Sequence, residues 1–100
     1  MKALRTSRMR GGAGDAAHLM RALANEDRLL LLCQLTEGEL CVGDLESRTG
    51  VRQPTLSQQL GVLREKGLVD TRRDGKQVFY SLADPAALEV LRILYRRYCA

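Results

Sequence analysis

Three cysteines, Cys33, Cys41 and Cys99, and one histidine, His18, are the side chains of this sequence with the most chemistry open to them. A thiolate attacks an electrophilic sulfur and a second thiol within reach resolves the adduct, so two thiols brought together make a redox-reactive pair. The same groups ligate soft metals, but those sites need three or four ligands with sulfur prominent. One histidine and three scattered thiols supply no such local set, and no metal or cofactor is expected. Nor does an odd number of cysteines suggest a purely structural disulfide framework. There is no Cys-x-x-Cys, no Cys–His pairing and no phosphate loop, since Gly11, Gly12 and Gly14 follow no strand, so an enzyme is not expected. Taken singly, a cysteine after Leu29-Leu30-Leu31-Leu32 reads as a small buried hydrophobe, and one beside the last residue as an idle exposed thiol.

A second group of residues is polar or basic. The net charge of +4 comes from 16 Lys and Arg against 12 Asp and Glu, and it is unevenly spread. Residues 1–14 carry Lys2, Arg5, Arg8 and Arg10 and no acid. Residues 15–47 hold seven acids against Arg21 and Arg28, whereas residues 48–77 hold seven bases against Glu65, Asp70 and Asp74. A basic middle of this kind is the pattern of a phosphate-facing surface. Only 4% of the residues are aromatic, which argues against a base-stacking platform.

These side chains must be positioned by a small globular domain. At 100 residues and 45% apolar content the chain fits one domain and is too apolar for wholesale disorder. A chain this short is marginal alone, and a core shared in a dimer would help. No apolar run approaches the roughly 18 residues of a membrane span. The basic N-terminus has no apolar stretch behind it and is no secretory signal, so a cytoplasmic protein is expected. Residues 1–14, rich in glycine and arginine, read as a flexible basic tail, and residues 15–100 as the domain.

Within it, Asp15 can cap a first helix carrying Leu19, Met20 and Leu23. Asn25 can cap a second, with Glu26 and Asp27 in its first turn, that runs to about Thr36 and stops at Gly38. It is apolar nearly all round and should be buried on several sides. A third helix covers about Val42 to Thr49, with Leu45 inward and Gly50 as its left-handed stop. Pro54 suits the first turn of a fourth helix, in which Leu56, Leu60 and Leu63 make one apolar stripe, and Gly67 ends it. Leu68–Arg73 and Gln77–Leu82 read as strands joined at Asp74-Gly75. Asp84-Pro85 opens a last helix lined by Leu88, Leu91, Leu94, Tyr95 and Tyr98. Helix, helix, helix, turn, helix, hairpin, helix is a mainly α winged helix-turn-helix. Gln53, Thr55, Ser57 and Gln58 stand opposite the leucine stripe, and such side chains hydrogen-bond base edges.

The stretch Leu23-Ala24-Asn25-Glu26-Asp27-Arg28-Leu29 resembles the opening of the second helix in the ArsR/SmtB family of bacterial repressors. Gln53-Pro54-Thr55-Leu56-Ser57-Gln58-Gln59-Leu60, then Leu63-Arg64-Glu65-Lys66-Gly67-Leu68-Val69, resemble that family's recognition helix and the approach to its wing, and Tyr80-Ser81-Leu82 the wing's close. The resemblance covers residues 15–100, and Gln59 stands where many members carry histidine. It implies a homodimer built on the first and last helices, with two recognition helices in successive major grooves of an inverted-repeat operator in double-stranded DNA. It implies base contacts from Gln53, Thr55, Ser57, Gln58 and Gln59, and phosphate contacts from Arg52, Arg64, Arg72, Arg73 and Lys76.

Arsenic- and cadmium-responsive members carry Cys-Val-Cys-Asp-Leu-Cys at the start of the third helix. Here Cys41-Val42-Gly43-Asp44-Leu45-Glu46 keeps only the first cysteine. Zinc- and nickel-responsive members use histidine and carboxylate pairs on the last helix, whereas the one histidine here, His18, falls on the first. Leu32-Cys33-Gln34-Leu35 and Tyr98-Cys99-Ala100 place two thiols as in the sulfide- and persulfide-responsive branch, and HlyU-like regulators share the pair. The resemblance then implies sensing by Cys33 and Cys99, with reactive sulfur species as inducer, a disulfide or longer sulfur chain joining the thiols, and release of DNA in the joined state. Cys41 is then a bystander. Two other readings keep the DNA-binding role: a general redox or peroxide-responsive regulator using the same pair, and a metal-responsive repressor with a site assembled across the dimer. Arg96 and Arg97 favour a thiolate nearby, while the C-terminal end of a helix disfavours one at Cys33, and both directions stay open.

Overall fold

The structure, a computed structural model, describes residues 3–100. In chain order it comprises α1 (Thr6–Leu23), α2 (Glu26–Gln34), a 3₁₀ turn (Leu35–Glu37), β1 (Leu40–Cys41), α3 (Val42–Thr49), α4 (Thr55–Glu65), β2 (Val69–Asp74), β3 (Gln77–Leu82) and α5 (Pro85–Tyr98). This is the winged helix-turn-helix expected from the sequence, with one strand more than the hairpin.

Local signals account for most boundaries. The Asn25 side chain accepts a hydrogen bond from the Arg28 backbone N–H at 3.0 Å and so caps α2, whose first turn holds Glu26 and Asp27. The Asp84 side chain caps α5 by accepting from the Ala86 N–H at 2.8 Å, and Pro85 fills the first turn, where a missing N–H loses nothing. Gly50 ends α3 at φ 73°, a left-handed conformation that glycine adopts without the clash a Cβ would bring. Strands β2 and β3 pair from Val69–Leu82 to Asp74–Gln77, so the two turn residues are Gly75, at φ 63°, and Lys76, one position beyond the expected turn.

The first helix departs from expectation. It begins at Thr6, nine residues before Asp15, which lies within the helix and caps nothing. Residues 6–14 are therefore helical rather than part of a tail, while residues 1 and 2 of that segment lie outside the described residues. Gly11, Gly12 and Gly14 each weaken a helix by about 1 kcal/mol relative to alanine. Yet none takes a positive φ, and no proline interrupts the run. The helix anchored by buried Ala22 and Leu23 propagates back through them. The second helix also departs: it ends at Gln34 in a 3₁₀ turn, and its apolar surface is one-sided. Leu31 and Leu32 are buried, but Leu30 and Cys33 are exposed.

One core joins all the helices but for part of α1. Leu31 and Leu32 of α2, Leu45 of α3, Leu56, Leu60 and Leu63 of α4, Leu68, Val69 and, from α5, Ala87 and Leu91 form a single buried cluster. The leucine stripe of α4 is thus its inward face, and the remaining surface of that helix is free for another partner. Truncating Leu60 to alanine would remove several methyl-bearing contacts from this cluster and destabilise the fold by about 2–5 kcal/mol. The sheet order is β1-β3-β2, all antiparallel, with Leu40 opposite Tyr80 and Cys41 opposite Phe79. Strand β1 ties the start of α3 to the wing.

Candidate functional site

Two regions gather the candidate residues. The first is the outer face of α4 with the wing. Ser57 and Gln58 are exposed on α4, Thr55 is half-buried at its start, and Arg52 and Arg64 are exposed at either end. Gln53 is also exposed, but its Oε1 accepts from the Ser57 N–H at 3.0 Å, so it closes the first turn of α4. Gln59 departs from the expected role. It is half-buried, and its Oε1 accepts from Arg28 Nη1 at 3.0 Å. Its carbonyl is engaged inside the protein, because position 59 sits beside the leucine stripe rather than opposite it.

Arg28 is a positioning residue that composition did not reveal. Its Nε donates to the Ala22 carbonyl at 2.6 Å and its Nη2 to the Arg21 carbonyl at 3.1 Å. One guanidinium therefore caps the C-terminus of α1 and holds the recognition helix α4 through Gln59. No periodicity signals it, since two of its partners are backbone carbonyls.

On the wing, Arg73 and Lys76 are exposed, Lys76 at the turn. Arg72 is differently placed. Both its Nε and Nη2 donate to Glu39, and its guanidinium lies 4.7 Å from the centre of the Phe79 ring. The hydrogen bond from Arg72 holds the Glu39 carboxyl below the usual carboxylate range. Arg72 is thus paired and stacked, and its charge is less free for a phosphate than that of Lys76. Glu39 reaches it because β1 runs beside β3, an arrangement invisible in a two-residue strand.

The second region holds the thiols. Cys33 lies in the last turn of α2 and Cys99 directly follows α5; both are free thiols and both are exposed. The Cys33 thiol is pushed above the ordinary thiol range, first by burial of the sulfur among its neighbours and then by the charge of Cys99, which lies near enough to be felt. Burial and Cys99, rather than the helix end or the arginines, set that direction. Arg97 lies over the Tyr98 ring at 5.5 Å. Thr36 Oγ1 donates to the Cys33 carbonyl at 2.8 Å, which fixes the end of α2 beneath the thiol. Cys33 lines an open groove of about 710 Å³ between α2, α3 and α5.

The third thiol stands apart. Cys41 Sγ donates to Asp44 Oδ2 at 3.2 Å, at the start of α3. Among the described residues no three His, Cys, Asp or Glu side chains cluster as metal ligands would. His18 is exposed on α1. No helix among the described residues is long and apolar enough to cross a membrane.

Helices α3 and α4 meeting at a left-handed glycine turn, with a polar outer face on α4 and a basic hairpin beside it, define a winged helix-turn-helix DNA-binding protein. The chain belongs to the arsR family of bacterial regulatory proteins, whose profile matches residues 25–71. It is 53% identical to the biofilm growth-associated repressor of Agrobacterium fabrum over 88% of this chain and 75% of that protein. Its fold superimposes on the crystal structure of the transcriptional repressor BigR from Xylella fastidiosa with a TM-score of 0.91 and 47% identity, covering 97% of this chain and 99% of that one. It also matches the homodimeric winged helix-turn-helix domain of Mb0332 from Mycobacterium bovis, with a TM-score of 0.75 and 29% identity over 96% of this chain and 89% of that one. The protein is therefore a transcriptional regulator of the arsR family and not an enzyme.

Proposed function

We propose that the protein is a homodimeric repressor that binds an inverted-repeat operator and releases it when reactive sulfur species bridge Cys33 and Cys99. The observation that supports this reading is that two free thiols, one in the last turn of α2 and one directly after α5, lie near enough for Cys99 to raise the Cys33 thiol. Repression is supported by the similarity to proteins described as repressors. Dimerisation is supported by the homodimeric neighbour and by apolar side chains left in water: Met20 on α1 is 54% exposed, and Ile93 and Tyr98 on α5 are 55% and 75% exposed.

In the DNA complex, Thr55, Ser57 and Gln58 read base edges from the major groove, and Gln53 and Gln59 position α4. Arg52, Arg64, Arg73 and Lys76 contact phosphates, with Arg72 as a paired auxiliary. A two-fold dimer presents two α4 helices, which must match one turn of DNA, about 34 Å.

The switch needs only a persulfide, RS–SH. A thiolate of the pair attacks the sulfane sulfur, the S–S bond of the donor breaks, and RS⁻ leaves to take up a proton. The resulting Cys–S–SH is attacked at its inner sulfur by the other cysteine's thiolate, which expels HS⁻ and forms the disulfide. The donor's sulfane sulfur is reduced to hydrosulfide as the two thiols are oxidised, so no further oxidant is required. The bridge ties α2 to α5 beside the dimer surface, where a small displacement changes the separation of the α4 helices.

Intact mass measured beside a DNA mobility shift tests this. Persulfide or polysulfide should remove two hydrogens from the protein or add whole sulfur atoms, and release the operator. Cys33→Ser and Cys99→Ser should bind DNA and ignore the donor, and Cys41→Ser should behave as wild type. If hydrogen peroxide alone joins the pair and the sulfur donors do nothing, the protein is a peroxide-responsive regulator instead.

A further inference from the structure

The groove beside Cys33 has a composition that the dithiol chemistry alone does not require. Its walls carry Arg48 of α3 and Arg92 and Arg96 of α5, with Tyr95 between the last two and Glu37 as the acidic member. Among the described residues, the ion pairs of this protein are those of Arg72, and none involves these three arginines. Three arginines without an ion pair thus line the groove against one carboxylate residue, beside a thiol. Arg92 and Arg96 are one helical turn apart, so both project from the same side of α5 toward α2. Ile93, offset from them along the helix, does not line the groove.

We infer that this groove is a binding site for an anionic, carboxylate-bearing sulfane-sulfur donor of small-peptide size, held by Arg48, Arg92 and Arg96 with its terminal sulfur at Cys33. The inference rests on the proposed sulfur-sensing role and names the class of donor it takes. Guanidinium groups bind carboxylates through paired N–H donors, and a carboxylate pair on one small molecule can engage two of them at once. The volume of about 710 Å³ lies in the range of small-molecule sites and far exceeds what an inorganic polysulfide ion fills. Tyr95 offers an apolar ring for the stem of such a molecule. The site also answers a kinetic difficulty. Cys33 is held toward its thiol form, so its reaction gains from a donor that is bound and oriented rather than met by collision.

The test compares two persulfides of opposite net charge on the reduced protein, each rate divided by that donor's rate with a free small thiol. Glutathione persulfide carries two carboxylates, whereas cysteamine persulfide carries an ammonium group. Persulfidation of Cys33, followed by mass spectrometry, should be about tenfold faster with the glutathione donor at low salt, and the gap should close as salt rises. Arg92→Gln with Arg96→Gln should abolish the preference, by slowing the glutathione donor and relieving the repulsion of the ammonium-bearing one. Inorganic tetrasulfide, an anion without carboxylates, should gain less from the arginines than the glutathione donor; if it gains as much or more, the groove does not serve a carboxylate-bearing donor. Equal rates from both persulfides, indifferent to salt and to the substitutions, would overturn the site while leaving the sensing role intact.

A second measurement does not depend on reactivity. S-methylglutathione, which has no sulfur to donate, should shift the NMR signals of Cys33, Arg92 and Arg96 at millimolar concentration, and the double variant should abolish those shifts. Binding of this probe with no modification of Cys33 by any donor would keep the anion site and refute the sensor. Absence of binding would refute the site.

Discussion

Cys33 combines two properties that pull against each other: it borders an open groove, yet its sulfur is held above the ordinary thiol range by burial and by Cys99. The sign is unambiguous. A thiol raised in the folded state contributes stability that is present below the ordinary thiol range and is lost as pH rises through the raised value. Alkylation by iodoacetamide, followed residue by residue against pH, should therefore turn on at Cys33 above the ordinary thiol range. Cys99→Ser should lower that midpoint without restoring it fully, since the larger cause, burial, remains. A midpoint at Cys33 unmoved by the substitution would mean that the two thiols do not feel each other. The wing offers a second residue-scale contrast. Lys76 is unpaired at the turn, so Lys76→Ala should weaken binding to all DNA sequences and reduce the salt slope by about one unit. Arg72→Ala should reduce it less, because Glu39 already offsets that charge. Equal changes would show that the Arg72–Glu39 pair opens on DNA. Glu39, held below the usual carboxylate range, supports the pair above that range and loses it only as pH falls further.

Among the elements, α4 was the most legible and α1 the least. Leu56, Leu60 and Leu63 at helical spacing, with Gly50 before them and Gly67 after, fixed both the helix and its inward face. The bounds of β3 and the caps Asn25 and Asp84 followed from equally local signals, whereas β2 and its turn lie one residue beyond the expected positions and Asp15 caps nothing. The start of α1 was illegible because its glycines carry a breaking signal that the anchored C-terminal turn overrides. Strand β1 was illegible because two residues show no alternation, and with it went the partner of Arg72. The thiol pair was legible only through a family resemblance, since Cys33 follows four leucines and its exposure depends on which side of α2 the core takes. Two predictions belong to this scale. Arg28→Ala removes three hydrogen bonds that join α1, α2 and α4, and it should destabilise the protein by about 1.5–3 kcal/mol, read by thermal or urea unfolding. A double-mutant cycle with Gln59→Ala should return a coupling above about 0.5 kcal/mol. Gly61→Ala lies within α4, where a Cβ meets no heavy atom within 4 Å, and it should stabilise the fold by up to about 1 kcal/mol.

Seen whole, the protomer is drawn out. Its radius of gyration is 15.1 Å, and its extents are 50 × 29 × 22 Å, whereas a compact chain of this length has a radius of about 13 Å. The excess comes with an 18-residue α1 whose first half buries little, which fits the dimer proposed above, in which a second protomer would cover it. Ile93→Asp should therefore yield monomers in sedimentation velocity and lower operator affinity at least tenfold, with the fold retained by circular dichroism. A stable dimer carrying this substitution would move the interface away from α5. The sheet order has a consequence for solubility. Strand β3 is paired on both sides, so among the described residues the open hydrogen-bonding rims belong to β1, which is two residues long, and to β2. Four of the six residues of β2, namely Asp70, Arg72, Arg73 and Asp74, carry charge. A short rim and a charged rim both resist the addition of a foreign strand. The protein can thus hold a hairpin out toward DNA, with its backbone partly bare, without that hairpin becoming a seed for aggregation.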